Sequence, residues 1–234
     1  MEQQWIKILT KCALFQKISP DELEKMIACL EPRLVRYEEK NSYVTLEGDP
    51  FNGVAMVLEG EVAVTRENAE GGRVIMTKLG VGDLFGEMIA FSEQRVWPAT
   101  IVTTKAAAVM FIPTGKIVNS CAMQCSGHKQ LIVNMLRIIS QRALFLNKKI
   151  QYLSIKSLRA RISLFLLEQY KKTGRTTFNL PLSRQECADF LHVSRPALSR
   201  EMGRMRDEGL IEFYRQTVKI VKLAELKRLS STAN

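Results

Sequence analysis

Apolar positions along the chain change period, and the changes divide it into segments. In "QWIKIL" (4–9) and "SPDELEKMIACL" (19–30) apolar residues recur at three- and four-residue steps, which predicts helices. Ser19 is placed to cap the second, with Pro20 at its first position and Asp21 and Glu22 in its first turn. From about Arg33 to Pro113 the runs are short and β-rich: "VAMVLEGEVAV", "RVIMTKL" and "ATIVTTKAAAVMFI". Glycines such as Gly60, Gly72 and Gly82 punctuate them at turn spacings. Many short strands with glycine turns predict a β-sandwich or jelly roll.

The helical period then returns. Ile132, Leu136, Ile139, Ala143, Leu146, Ile150 and Leu153 are all apolar, and the steps between them alternate four and three without a break. That is a coiled-coil seam of about three heptads. A second stripe, Leu131, Met135, Ile138 and Phe145, lies beside it. Two apolar faces on one helix need two partners: the helix's own β-domain, and the same helix from a second chain. The alternative is burial of both stripes in one monomer core.

After "LRARISLFLLEQY" and a loop, "KKTGRTTFNLP", the stretch Leu182 to Ile211 contains two helix starts. Ser183 and Glu186 have capping-box spacing, and Ser194 is placed to cap a second helix from Arg195. Pro196 falls in that helix's first turn, where a missing N–H costs no intrahelical bond. Cys187, Ala188, Leu191, Ala197, Leu198, Met202 and Met205 form the inner faces. Arg195, Ser199, Arg200, Arg204 and Arg206 are left outside. Two short helices so arranged predict a helix-turn-helix, and "LIEFYRQTVKIV" adds a two-stranded wing with Arg215 at its tip. The fold class is therefore α+β: a jelly roll, a long dimerisation helix and a winged helix-turn-helix. The expected boundaries are 1–118, 119–154 and 155–234.

Charge sharpens this picture. The chain of 234 residues carries a net charge of +10, of which residues 155–234 hold +8. A near-neutral body with a basic C-terminal third points to a nucleic-acid module, the alternative being a solvated basic surface. Arginine can donate two hydrogen bonds to guanine O6 and N7 in the major groove, and Arg215 is placed for phosphate. Cys12, Cys29, Cys121, Cys125 and Cys187 are odd in number and scattered, which fits reduced thiols in a cytoplasm. No apolar run is long enough to span a bilayer, and no signal peptide is legible. There is no P-loop, HExxH or G-x-S-x-G motif, so enzymatic activity is not expected.

With these parts in this order, the chain resembles the Crp-Fnr family of bacterial transcription regulators along nearly its whole length. The resemblance is carried by "VLEGEVAV", "GVGDLFGEM", the long helix, "LRARISLFLLEQ" and "LSRQECADFLHVSRPALSREMGRM". It implies a cyclic-nucleotide-type β-roll, a dimerising helix and effector-controlled binding to a pseudo-palindromic DNA operator, with RNA polymerase a partner if the protein activates. It places base reading on Arg195, Pro196, Ser199 and Arg200, with Ser194, Arg204 and Arg215 nearby. Many members have a glutamate where this chain has Pro196, which has no acceptor for cytosine, so an operator unlike the best-known family consensus is expected.

The family's cyclic-nucleotide pocket uses a Gly-Glu pair and, ten residues after the Glu, an arginine for the cyclic phosphate. Gly86 and Glu87 are present, but Trp97 and Pro98 stand where the arginine and its small neighbour belong. Arg95 lies two residues earlier, on a strand a shift of about 7 Å. On the long helix an approximate alignment places Leu146 and Asn147 at the base. This argues against cyclic AMP and suggests either a planar, less charged ligand or a pocket plugged by Trp97. Cys121, Cys125 and His128 have spacings compatible with a metal or haem, the alternative being buried thiols beside an exposed histidine. The expectation is a homodimeric DNA-binding regulator whose effector and cofactors the sequence does not identify. Its alternatives are a redox-, metal- or haem-responsive regulator on the same scaffold and an effector-independent DNA-binding protein.

Overall fold

The computed structural model describes residues 3–67, 72–119 and 127–231, which divide into two compact units, Met1–Arg142 and Ala143–Asn234. The first opens with α1 (Gln3–Leu9), a 3-10 turn (Ala13–Phe15) and α2 (Pro20–Leu30). Ser19 Oγ accepts from Glu22 N at 3.3 Å, which supplies the expected cap of α2. Then follow β1 (Arg33–Tyr37), β2 (Tyr43–Thr45), β3 (Gly53–Glu59), β4 (Glu61–Glu67), β5 (Arg73–Gly80), β6 (Leu84–Phe85), α3 (Glu87–Ala90), β7 (Thr100–Thr103), β8 (Ala107–Pro113) and α4 (Thr114–Val118).

The strands form two antiparallel four-stranded sheets, ordered β1-β8-β3-β6 and β2-β7-β4-β5. The continuous apolar runs of β3 and β8 now have a cause. Side chains alternate across a strand, and here both faces are covered. Val54, Met56 and Leu58 on β3, with Ala108, Met110 and Ile112 on β8, join a core with the N-terminal helices. Ala55, Val57, Ala107, Val109 and Phe111 point the other way, into a second core with Phe85, Trp97 and Ile101. The β3–β4 hairpin turns on Gly60 at φ +79°, where a Cβ would stand 2.0 Å from the Ala106 carbonyl oxygen. Only glycine fits there.

Helix α5 (Gly127–Ser154) contributes Leu131, Met135 and Ile138 to the core of the first unit. Asn134, fully buried in that stripe, donates to the carbonyls of Leu14 (2.9 Å) and Gln16 (2.7 Å) and accepts from Gln130 and Arg137. The hydrogen bonds of this buried amide offset its desolvation, and it anchors the helix. Phe145, read from the sequence as the fourth member of this stripe, does not join it. It is about half exposed and faces Phe190 of the second unit, ring centroids 6.0 Å apart. The boundary between the two compact units falls inside α5, between Arg142 and Ala143.

The second unit continues from the end of α5 with α6 (Leu158–Thr173), β9 (Thr177–Asn179), α7 (Arg184–Phe190), α8 (Arg195–Asp207), β10 (Ile211–Tyr214), β11 (Thr217–Ile220) and α9 (Leu223–Ser231). Tyr152 of α5 is fully buried, 5.0 Å from the ring of Phe190. The segment Thr177–Asn179, expected as loop, is a strand: it pairs with β11 and buries Phe178. No helix among the described residues is long and apolar enough to cross a membrane.

Candidate nucleic-acid interface and effector cavity

The sequence of α7 and α8 builds one exposed basic surface. Ser183 Oγ accepts from Glu186 N, and the Glu186 carboxylate accepts from Ser183 N at 2.7 Å, so the capping box forms. His192, at φ +56°, turns the chain. Ser194 Oγ then accepts from Ala197 N at 3.3 Å and Pro196 occupies the first turn of α8. Leu198, Met202 and Met205 are buried, with Cys187, Ala188 and Leu191 of α7 against them. Ala197, expected fully inside, is half-buried. Helical periodicity leaves Arg195, Pro196, Ser199 and Arg200 exposed. Among the described residues neither Arg195 nor Arg200 has an ion-pair partner. Ser194→Ala should cost about 1 kcal/mol of stability through loss of the cap; an unchanged melting temperature would contradict that role.

The wing completes the surface. β10 and β11 pair, and Arg215 turns between them at φ +52°, its guanidinium 5.4 Å from the ring of Tyr214. Arg184, Arg195, Ser199, Phe213, Arg215 and Gln216 line a concavity of about 410 Å³. Arg184 was not singled out in the sequence. It is half-buried, sits over the Phe213 ring at 5.1 Å, and contacts Met202 Sδ. Burial lowers its pKa, Arg195 lowers it further, and Cys187 opposes the shift. Each of these positive charges would be relieved by an anion at the concavity. Arg204 is engaged with Glu201 at 3.3 Å.

A salt-bridge brace holds α8 against α6. Arg159 donates to Glu201 (2.7 Å) and, with both Nη atoms, to Glu208 (2.7 and 2.8 Å). These hydrogen bonds hold the Glu208 carboxyl below the usual range. Its contribution is therefore complete above the unfolded-state pKa and lost as pH falls through the depressed folded-state value. Melting temperatures of wild type and Glu208→Gln should differ at neutral pH and converge in acid; a constant gap would contradict the linkage.

In the first unit, a cavity of about 200 Å³ opens beside Trp97. Trp97 does not plug it. The indole is buried and stacks 4.4 Å from Phe51 and 5.9 Å from Phe85, forming a wall. Gly86, at φ +83°, lies beneath: a Cβ there would stand 2.6 Å from Phe51 and 3.2 Å from Trp97. Glu87, 4% exposed, pairs through Oε1 with Arg142 Nε of α5 at 3.0 Å. Pro98 also lines the cavity. Arg95 is not on a strand but in a loop, at φ +43° and exposed, and it does not line the cavity. Asn147 is an exposed residue of the second unit, and the residue of α5 that reaches Glu87 is Arg142, which the sequence did not single out.

Cys121 and Cys125 lie outside the described residues. His128, expected to be exposed if it has no ligand, is buried, with Nε2 3.3 Å from the Lys116 carbonyl oxygen. Among the described residues no group of three or more His, Cys, Asp or Glu is placed to hold a metal. Burial pushes the Cys12 and Cys187 thiols up to about 11, so neither is a thiolate at neutral pH.

Residues 35–123 match the cyclic nucleotide-binding domain and residues 160–229 the Crp-like helix-turn-helix domain. The chain is 22% identical to the CRP-like cAMP-activated global transcriptional regulator of Mycobacterium tuberculosis, across 95% of this chain and 98% of that protein. A CooA mutant from Carboxydothermus hydrogenoformans shares the fold at a TM-score of 0.54 and 19% identity, covering 98% of this chain and 97% of its own. The Thermus thermophilus catabolite activator protein does so at 0.52 and 19%, covering 95% and 100%. With both domains present in this order on either side of one long helix, the chain belongs to the Crp-Fnr family of transcription regulators.

Proposed function

We propose that the protein is a homodimeric, sequence-specific DNA-binding transcription regulator controlled by a small molecule, other than cyclic AMP, held in the β-roll. The observation that carries the DNA reading is the start of α8, which exposes Arg195, Ser199 and Arg200 while its opposite face is buried. Arg195 and Arg200 are the base readers and Arg184 and Arg215 the phosphate contacts. Second copies pair through the seam on α5, of which Leu136, Leu146, Ile150 and Leu153 are all more than 40% exposed in the single chain. Pairing sets two α8 helices about 34 Å apart, one turn of duplex. An effector shifts the population between DNA-competent and incompetent dimers.

The experiment is selection of bound duplexes from a randomised pool by the full chain. The reading expects a two-fold symmetric site with half-site centres about one helical turn apart. Enrichment of a single unrepeated half-site, or of no sequence, would overturn it.

A further inference from the structure

We infer that the cavity beside Trp97 takes an uncharged, planar, apolar molecule of one or two rings. This rests on the reading of the first unit as an effector domain, and names the class of effector.

The walls set the chemistry. Ten of the fourteen residues lining the cavity are apolar, and the polar ones are Thr77, Glu87 and Arg142. Arg142 is the one cation among them, and its Nε is already 3.0 Å from the Glu87 carboxylate. The site is therefore electrically neutral as it stands. A cyclic phosphate would bring a negative charge beside a carboxylate that is 4% exposed, with no second cation to meet it. An uncompensated charge in such surroundings costs several kcal/mol. The nearby arginines do not change this. Arg66 is exposed and donates to the Pro98 carbonyl oxygen at 3.2 Å, and Arg95 is exposed outside the cavity.

Size and shape point the same way. A cavity of about 200 Å³ is of the order that admits a small ring, since an apolar cavity of about 150 Å³ binds benzene. The indole of Trp97 packs against Phe51 and Phe85 and lines the cavity, an aromatic wall suited to a planar ligand. A hydroxyl or ring N–H on such a ligand has one charged acceptor to meet, the Glu87 carboxylate that Arg142 of α5 holds. Apolar burial supplies the affinity, and that one polar group orients the ring.

The test titrates the full-length protein by calorimetry with 2-naphthol, indole and cyclic AMP, and measures operator binding on the same preparations. The proposal expects saturable 2-naphthol or indole binding that is insensitive to salt and has a negative heat-capacity change, and no saturable binding of cyclic AMP. Ala99→Leu, which fills the cavity, should weaken the apolar probe about tenfold or more. Thr77→Trp does the same from an exposed rim position, so a folding defect in the first variant leaves the test intact. Saturable cyclic AMP binding, or no saturable binding by either apolar probe, overturns the proposal. So does apolar binding that neither variant weakens. Operator binding without apolar binding overturns the ligand class alone; apolar binding without operator binding overturns the regulator reading alone.

Discussion

Glutamate in place of both Leu136 and Ile150 is expected to leave a folded chain that has lost its operator. In the single chain Leu136 is 59% and Ile150 65% exposed, so neither substitution opens a cavity in its own unit. Glutamate is also a good helix former, and α5 keeps its local preference. In a paired seam the same positions face their counterparts, and two buried, like-charged carboxylates per contact are strongly unfavourable. The chain should sediment as a monomer with an unchanged far-ultraviolet spectrum. Each half-site is then bound singly, and the gain from linking two reading heads, on the order of 10²–10⁴ in affinity, disappears. An undiminished operator affinity in a monomeric variant would contradict the scheme.

The second large effect concerns Arg200. Its side chain is exposed on α8 and, among the described residues, without an ion-pair partner, so truncation removes no contact that holds the fold. Arg200→Ala should cost about 1–3 kcal/mol per half-site and relax preference at one base pair. Random duplex should be bound nearly as before, because phosphate contacts carry non-specific affinity. Arg184→Ala should do the converse and weaken both duplexes alike. An equal loss on operator and random DNA for Arg200→Ala would make it a phosphate contact.

What the sequence disclosed depended on whether the signal was local. The caps at Ser19, Ser183 and Ser194 and the proline in α8 are local chemistry, legible at a spacing of three residues. The apolar period of α5 repeats over three heptads, and repetition makes the helix legible too. β9 was not, because three residues with one apolar member, Phe178, show no alternation; pairing with β11 makes it a strand. Phe145 has the correct period for the second stripe, but period does not show where one unit ends and the next begins.

The cavity followed the same rule. Gly86 and Glu87 are legible as a match to a family pattern, and Trp97 as a departure from it. Arg142 stands 55 residues from Glu87 in a polar stretch, and only the fold joins them. Whether Trp97 fills the space or walls it depends on Phe51 and Phe85, which hold the ring aside. Arg184 is not legible in the sequence because a helix start offers many exposed positions, and it is Phe213 on the wing that selects this one.

In the proposed scheme two copies, joined along α5, present two α8 helices to one duplex. The most direct measurement is sedimentation velocity of the full chain with its selected operator across a dilution series. Two chains per duplex at every concentration that binds, with no stable complex of one, is the predicted result. One chain holding the symmetric site at full affinity would contradict it.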